Sequence, residues 1–116
     1  MTVKRIVTDI AVTSVEEAKQ FYVELLDLNV VMDQGWIVTL LGKAPSPVQL
    51  SIMTQGGSGA PVPRMSIEVD DVDAVYAKAK AMGAEITYDI LDEPWGVRRF
   101  FLCDPAGQLI NILQHK

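Results

Sequence analysis

Apolar and polar positions alternate between two periods along this chain, and the alternation occurs twice. "RIVTDIAV" (5–12) has period two: Ile6, Ile10 and Val12 share a face with Thr8, while Val7, Asp9 and Ala11 point the other way. A helical period follows, with Val15, Ala18, Phe21, Tyr22, Leu25 and Leu26 as its apolar stripe. Ser14 heads that helix, and Glu17 stands where a capping box needs it. Three strand-like runs come next, "LNVVMD", "WIVTLLG" and "VQLSIM". The order then repeats. "PRMSIEV" alternates, and Asp71 caps a helix with the stripe Val72, Val75, Ala79 and Met82, closed by Gly83. "EITYDIL", "VRRFFLC" and "LINILQ" supply three more strands, with turn chemistry in "DQGW" and "DPAG".

The two copies align at an offset of 57 residues: Ile10 meets Ile67, Val12 meets Val69, and Val15 meets Val72. Val7 meets Arg64 at the same offset, and Gln49 in "VQL" matches Asn111 in "INI" as the middle residue of a closing strand. The pattern predicts an α+β fold of two tandem βαβββ modules, at about 4–54 and 63–114, within one domain of 116 residues. The Gly- and Pro-rich residues 55–62 form the linker. Each four-stranded sheet carries one helix, so its second face must meet the other module, a second chain or a ligand.

That second face carries Asp9, Gln49, Ser51, Arg64, Ser66, Glu68 and Asn111, mixed with Val7, Met53, Leu109 and Leu113. It reads either as a solvated sheet face or as the lining of a cavity, and the apolar members favour the cavity. Arg98 and Arg99 are adjacent in a strand, so only one of them looks into such a cavity. Arg64 has two readings, an anchor for an acidic ligand group or a partner for Asp9 or Glu68 across the sheet. Trp36 and Trp95 read either as flat apolar ligand surface or as core or interface aromatics.

Composition narrows the partners. The net charge is -5 and the ten basic residues are scattered, which argues against nucleic acid and anionic membrane surfaces. No run is long enough to span a bilayer, and "MTVKRIVTDI" lacks the pattern of a signal peptide. The single cysteine, Cys103, cannot form an internal disulfide and reads as a buried apolar residue, which fits a cytoplasmic protein. His115, the sole histidine, reads as a solvated tail residue.

"VTSVEEAKQFYVELLDLNVV", with Phe21 and Tyr22, and "PWGVRRFFLCDPAGQLINILQ", with Asp104 to Gly107, resemble the vicinal oxygen chelate superfamily. This is the family of glyoxalases, bleomycin-resistance proteins and extradiol dioxygenases. The resemblance implies that the paired modules curl into a U-shaped trough. It also implies a homodimer, with modules paired within a chain or exchanged between chains. Metal-dependent members draw ligands from the first and last strand of each module. Those positions here are Val7, Gln49, Arg64 and Asn111, none of them a His or a carboxylate. The resemblance therefore points to the metal-free branch, with no cofactor, in which a planar or aromatic small molecule is bound and kept from solution unaltered. Asp9, Trp36, Gln49, Arg64, Trp95, Arg98 and Asn111 form the implied ligand site, with Arg98 matched through its "PWG-x-R" setting and Arg99 turned outward. The alternative is a lyase, isomerase or dioxygenase-like enzyme with an unorthodox or absent metal. In that case Asp9 or Glu68 serves as general base, provided that burial raises its pKa.

Overall fold

The computed structural model describes residues 1–45 and 48–116; residues 46 and 47, inside the first predicted module, lie outside the described residues. The elements run β1 (Val3–Ala11), α1 (Val15–Leu26), β2 (Asn29–Asp33), β3 (Ile37–Leu41), β4 (Gln49–Met53), β5 (Met65–Val69), α2 (Val72–Ala81), β6 (Glu85–Asp92), β7 (Val97–Cys103) and β8 (Leu109–His115). This is βαβββ twice, an α+β fold. In both copies the closing strand lies parallel to the opening one, β4 on β1 and β8 on β5, and the remaining pairs are antiparallel.

The chain forms two compact units, Val7–Val62 and Met1–Ile6 with Pro63–Lys116, so β1 changes unit between Ile6 and Val7. In the unit of residues 7–62 the strand order is β2-β3-β4-β1. Val38, Leu40 and Ile52 are fully buried against Ile10, Val12, Val15, Ala18, Tyr22, Val23, Leu28 and Leu50. Ser14 Oγ accepts from Glu17 N at 3.2 Å, which satisfies one of the free donors at the start of α1. The helix ends on Asp27 in the left-handed region (φ 54).

The predicted stripe of α1 is too wide. Phe21, Leu25 and Leu26 are 57%, 63% and 56% exposed, whereas Val23, outside the stripe, joins the core. Phe21 lies on the flank of the helix, and Leu25 and Leu26 fall in its last turn.

The linker is built as a turn within this unit. Gly56 N donates to Ala60 O (2.7 Å), Ala60 N to Gly57 O (2.9 Å), and Gly59 N to Gln55 Oε1 (2.7 Å). A Cβ on Gly56 would lie 2.1 Å from Pro61 O, so only glycine permits this crossing of backbone.

The other unit has the order β5-β8-β7-β6. Val69, Val72, Ala79, Phe100, Ile110 and Ile112 form its core, with Met65, Ile67, Val75, Tyr76, Ile86 and Leu102 packed around them. Asp71 Oδ1 accepts from Ala74 N (3.1 Å), and Gln114 Oε1 takes the Val72 N–H (2.9 Å). Met82, predicted to be in the stripe of α2, is 74% exposed because it is already the C-cap. In "DPAG", Asp104 Oδ1 accepts from Ala106 N and Gln108 N, and Gly107 takes φ 81. Among the described residues no helix is long and apolar enough to cross a membrane.

Candidate functional site

In each unit the core clusters occupy the helix side of the sheet, which fixes what looks the other way. In the unit of residues 7–62 that set includes Val7, Asp9, Gln49, Ser51, Met53 and Thr39. Asp9 lies beside Ser51 across β1 and β4, and Ser51 beside Thr39 across β4 and β3. The hydroxyls of Thr39 and Ser51 are 3.3 Å apart. Val7, Asp9, Ser51 and Met53 are all buried, so this is not a freely solvated face. Gln49 opens β4 opposite Leu41 and is half-buried. Trp36, also half-buried, precedes β3, and its carbonyl accepts from Thr54 N at 3.1 Å.

In the other unit the corresponding row runs Ser66, Asn111, Phe101, Tyr88 across β5, β8, β7 and β6. Asn111 is 7% exposed; its Nδ2 donates to Ser66 Oγ at 3.0 Å, and its Oδ1 has no hydrogen-bond partner. Arg64 falls just before β5, exposed, with its backbone N donating to Leu109 O.

These registers revise the match between the halves. Asp9 corresponds to Ser66 at the offset of 57, and their partners are Ser51 and Asn111. The counterpart of Asn111 is therefore Ser51 and not Gln49. The segments between helix and closing strand differ in length, so one sequence offset does not serve the whole repeat.

The two arginines are placed opposite to expectation. Arg98 turns to the helix side, where Nε and Nη2 donate to Asp73 Oδ1 on α2 (3.1 and 3.0 Å) and Nη1 reaches Asp92 at 3.4 Å. Those carboxylates raise its pKa further, the bond to Asp73 most of all. Arg99 takes the other face, 3% exposed. Its Nε and Nη2 lie 2.7 and 2.6 Å from Glu93 Oε2, which also accepts from Tyr88 Oη at 2.8 Å. Its guanidinium sits 4.9 Å from the Tyr88 and Trp95 rings and 4.8 Å from Phe101. Trp95 is thus a wall of a buried ion pair. Sequence could not choose between the arginines because both following residues are phenylalanine and both are buried; Phe100 packs on the helix side, which sends Arg98 there with it.

His115 is no tail residue. It closes β8 opposite Val97, and its Nδ1 lies 2.7 Å from Glu68 Oε2, while Arg5 Nε holds Glu68 Oε1 at 2.7 Å. Burial pushes the Glu68 carboxyl upward, but the hydrogen bond with His115 and the charges of Arg5 and His115 outweigh it and leave its pKa lowered. Glu68 is therefore not the raised-pKa base that the enzyme alternative asked for. Neither Arg5 nor Glu93 was singled out by sequence, although alternation puts Arg5 in the set of Val7 and Asp9. Cys103 is half-buried, and its thiol is pushed up in pKa by Glu85 and by burial. Among the described residues no three His, Cys, Asp or Glu side chains are grouped so as to hold a metal ion.

Solved structures share this fold at low identity. The NAD-dependent benzaldehyde dehydrogenase structure from Legionella pneumophila aligns with TM-score 0.79 and 17% identity, over 97% of this chain and 100% of that one. Methylmalonyl-CoA epimerase from Mycobacterium tuberculosis aligns with TM-score 0.64 and 18% identity, over 98% and 87%. A glyoxalase/bleomycin resistance protein/dioxygenase superfamily member from Vibrio splendidus 12B01 aligns with TM-score 0.67 and 20% identity, over 97% and 99%. At these identities the likeness is one of fold alone. No curated protein matches the chain. The family model for the Glyoxalase/Bleomycin resistance protein/Dioxygenase superfamily matches residues 3–112, and the chain belongs to that superfamily.

Proposed function

We propose that this chain is a metal-independent small-molecule binding protein of the drug-sequestering kind. The observation that carries the reading is the chemistry of the positions where metal-dependent relatives are expected to place ligands. Val7 is apolar and buried, and Arg64 is a cation. Asn111 offers one neutral amide oxygen. Gln49, or Ser51 by strand register, is likewise neutral. This donor set does not fit a divalent metal.

What it does fit is recognition by shape and neutral hydrogen bonding. The ligand lies against a sheet face turned away from its helix: Asp9 and Ser51 are the polar contacts offered by the unit of residues 7–62, and Ser66 and Asn111 those offered by the other, each pair amid apolar neighbours. Arg98 leaves this site, since it is engaged on the helix side. Trp36 and Trp95 act as reporters whose fluorescence responds to a bound planar compound.

The test is elemental analysis of the purified protein, followed by titration with planar antibiotics read by tryptophan fluorescence and by chromatography of the recovered compound. The reading expects no stoichiometric metal, saturable quenching and unchanged compound. One bound zinc, nickel, manganese or iron per chain, or a converted compound, would overturn it. An enzyme without an orthodox metal has one group in its favour, the buried Asp9 carboxyl on β1. Turnover that Asp9→Asn abolishes while the fold survives would establish that reading instead.

A further inference from the structure

A buried amide oxygen without a partner is an unfinished contact, and Asn111 has one. Its surroundings are otherwise closed. Nδ2 is committed to Ser66 Oγ at 3.0 Å, which fixes the amide with Oδ1 directed away from Ser66. Phe101 lies opposite on β7, and Leu113 follows on the same face of β8, both buried. Apolar neighbours leave the oxygen with no internal donor, and leaving it unpaired is costly. Arg99 and Arg5 of this unit are already engaged, by Glu93 and by Glu68.

We infer that Asn111 Oδ1 accepts a hydrogen bond from an uncharged N–H or O–H donor on the ligand, carried on an apolar scaffold. Indoles, lactams and phenols belong to this class; carboxylates and phosphates do not, since they present acceptors to an acceptor. The inference rests on the binding reading above and makes it specific.

Two arms test it. Without ligand, Asn111→Leu combined with Ser66→Ala removes both the orphaned oxygen and its companion hydroxyl. The melting temperature should rise, by about 4 °C. No rise, or a fall, means that a bound water already satisfies the oxygen, and the inference fails. With ligand, indole and N-methylindole are titrated into wild-type protein and into Asn111→Leu, read by the side-chain amide signals in 1H–15N spectra. Indole should shift the Asn111 amide signals and bind about tenfold more tightly than N-methylindole, a preference lost in the variant. Equal binding of the two probes, or binding of neither, overturns it. A planar antibiotic that binds wild type and Asn111→Leu alike would leave the binding function standing and remove this contact alone.

Discussion

At the scale of single residues, the chain contains two kinds of ion pair. Arg99 and Glu93 have almost no exposed side-chain surface, whereas Arg98, Asp73 and Asp92 are 28%, 63% and 54% exposed. Removing one member of a buried pair strands the other charge, so Arg99→Met or Glu93→Gln should cost about 3 kcal/mol in urea unfolding. Arg98→Met should cost under about 1 kcal/mol, because its partners remain in water. Glu68 makes a prediction in pH. Its folded pKa is depressed below the unfolded value, so its stabilising contribution is complete above the ordinary glutamate range, about pH 4.3. That contribution is lost as pH falls through the lowered folded value. In acid titrations followed by circular dichroism, wild type should lose stability relative to Glu68→Gln below about pH 4; parallel curves would deny the Arg5–Glu68–His115 contact. None of these pairings was legible beforehand. Alternation assigns a side chain to one of two faces and says nothing of what it finds there.

At the scale of elements, sequence reading succeeded where the signal is local. Ser14 and Asp71 cap the helices as their spacing requires. Each cap replaced by alanine should cost about 1 kcal/mol in thermal unfolding. Strand alternation separated the core positions from their opposites, because a strand packed against a helix on one side has only one dry set to offer. It failed at helix width: nothing local says that Phe21 and Leu25 stay outside while Val23 goes in. The residues between the modules gave a different lesson. Glycine and proline mark a linker in sequence, yet here they close a hydrogen-bonded turn that admits no Cβ at position 56. Gly56→Ala should therefore destabilise the protein by about 2 kcal/mol or more, measured as a lowered urea midpoint. A flexible linker would tolerate it.

At the scale of the whole molecule, the metal question has a direct readout. If the proposed binder is right, chelation by EDTA and addition of zinc should each leave the melting temperature unchanged, whereas a structural or catalytic ion would shift it. The doubled βαβββ order, the helix caps and turns, and the superfamily resemblance were all written in the one-dimensional pattern. They depend on periodicity and on local hydrogen bonding, which neighbours in sequence decide. The absence of His and carboxylate at Val7, Arg64 and Asn111 was equally plain, since it is a matter of residue identity. Three things required the folded chain: that Ser51, and not Gln49, answers to Asn111; that Arg99, and not Arg98, lies on the face away from the helix; and that Glu68 and His115 meet. Each follows from strand register and from which side of the sheet the helix covers, and those are set by contacts between residues far apart in sequence.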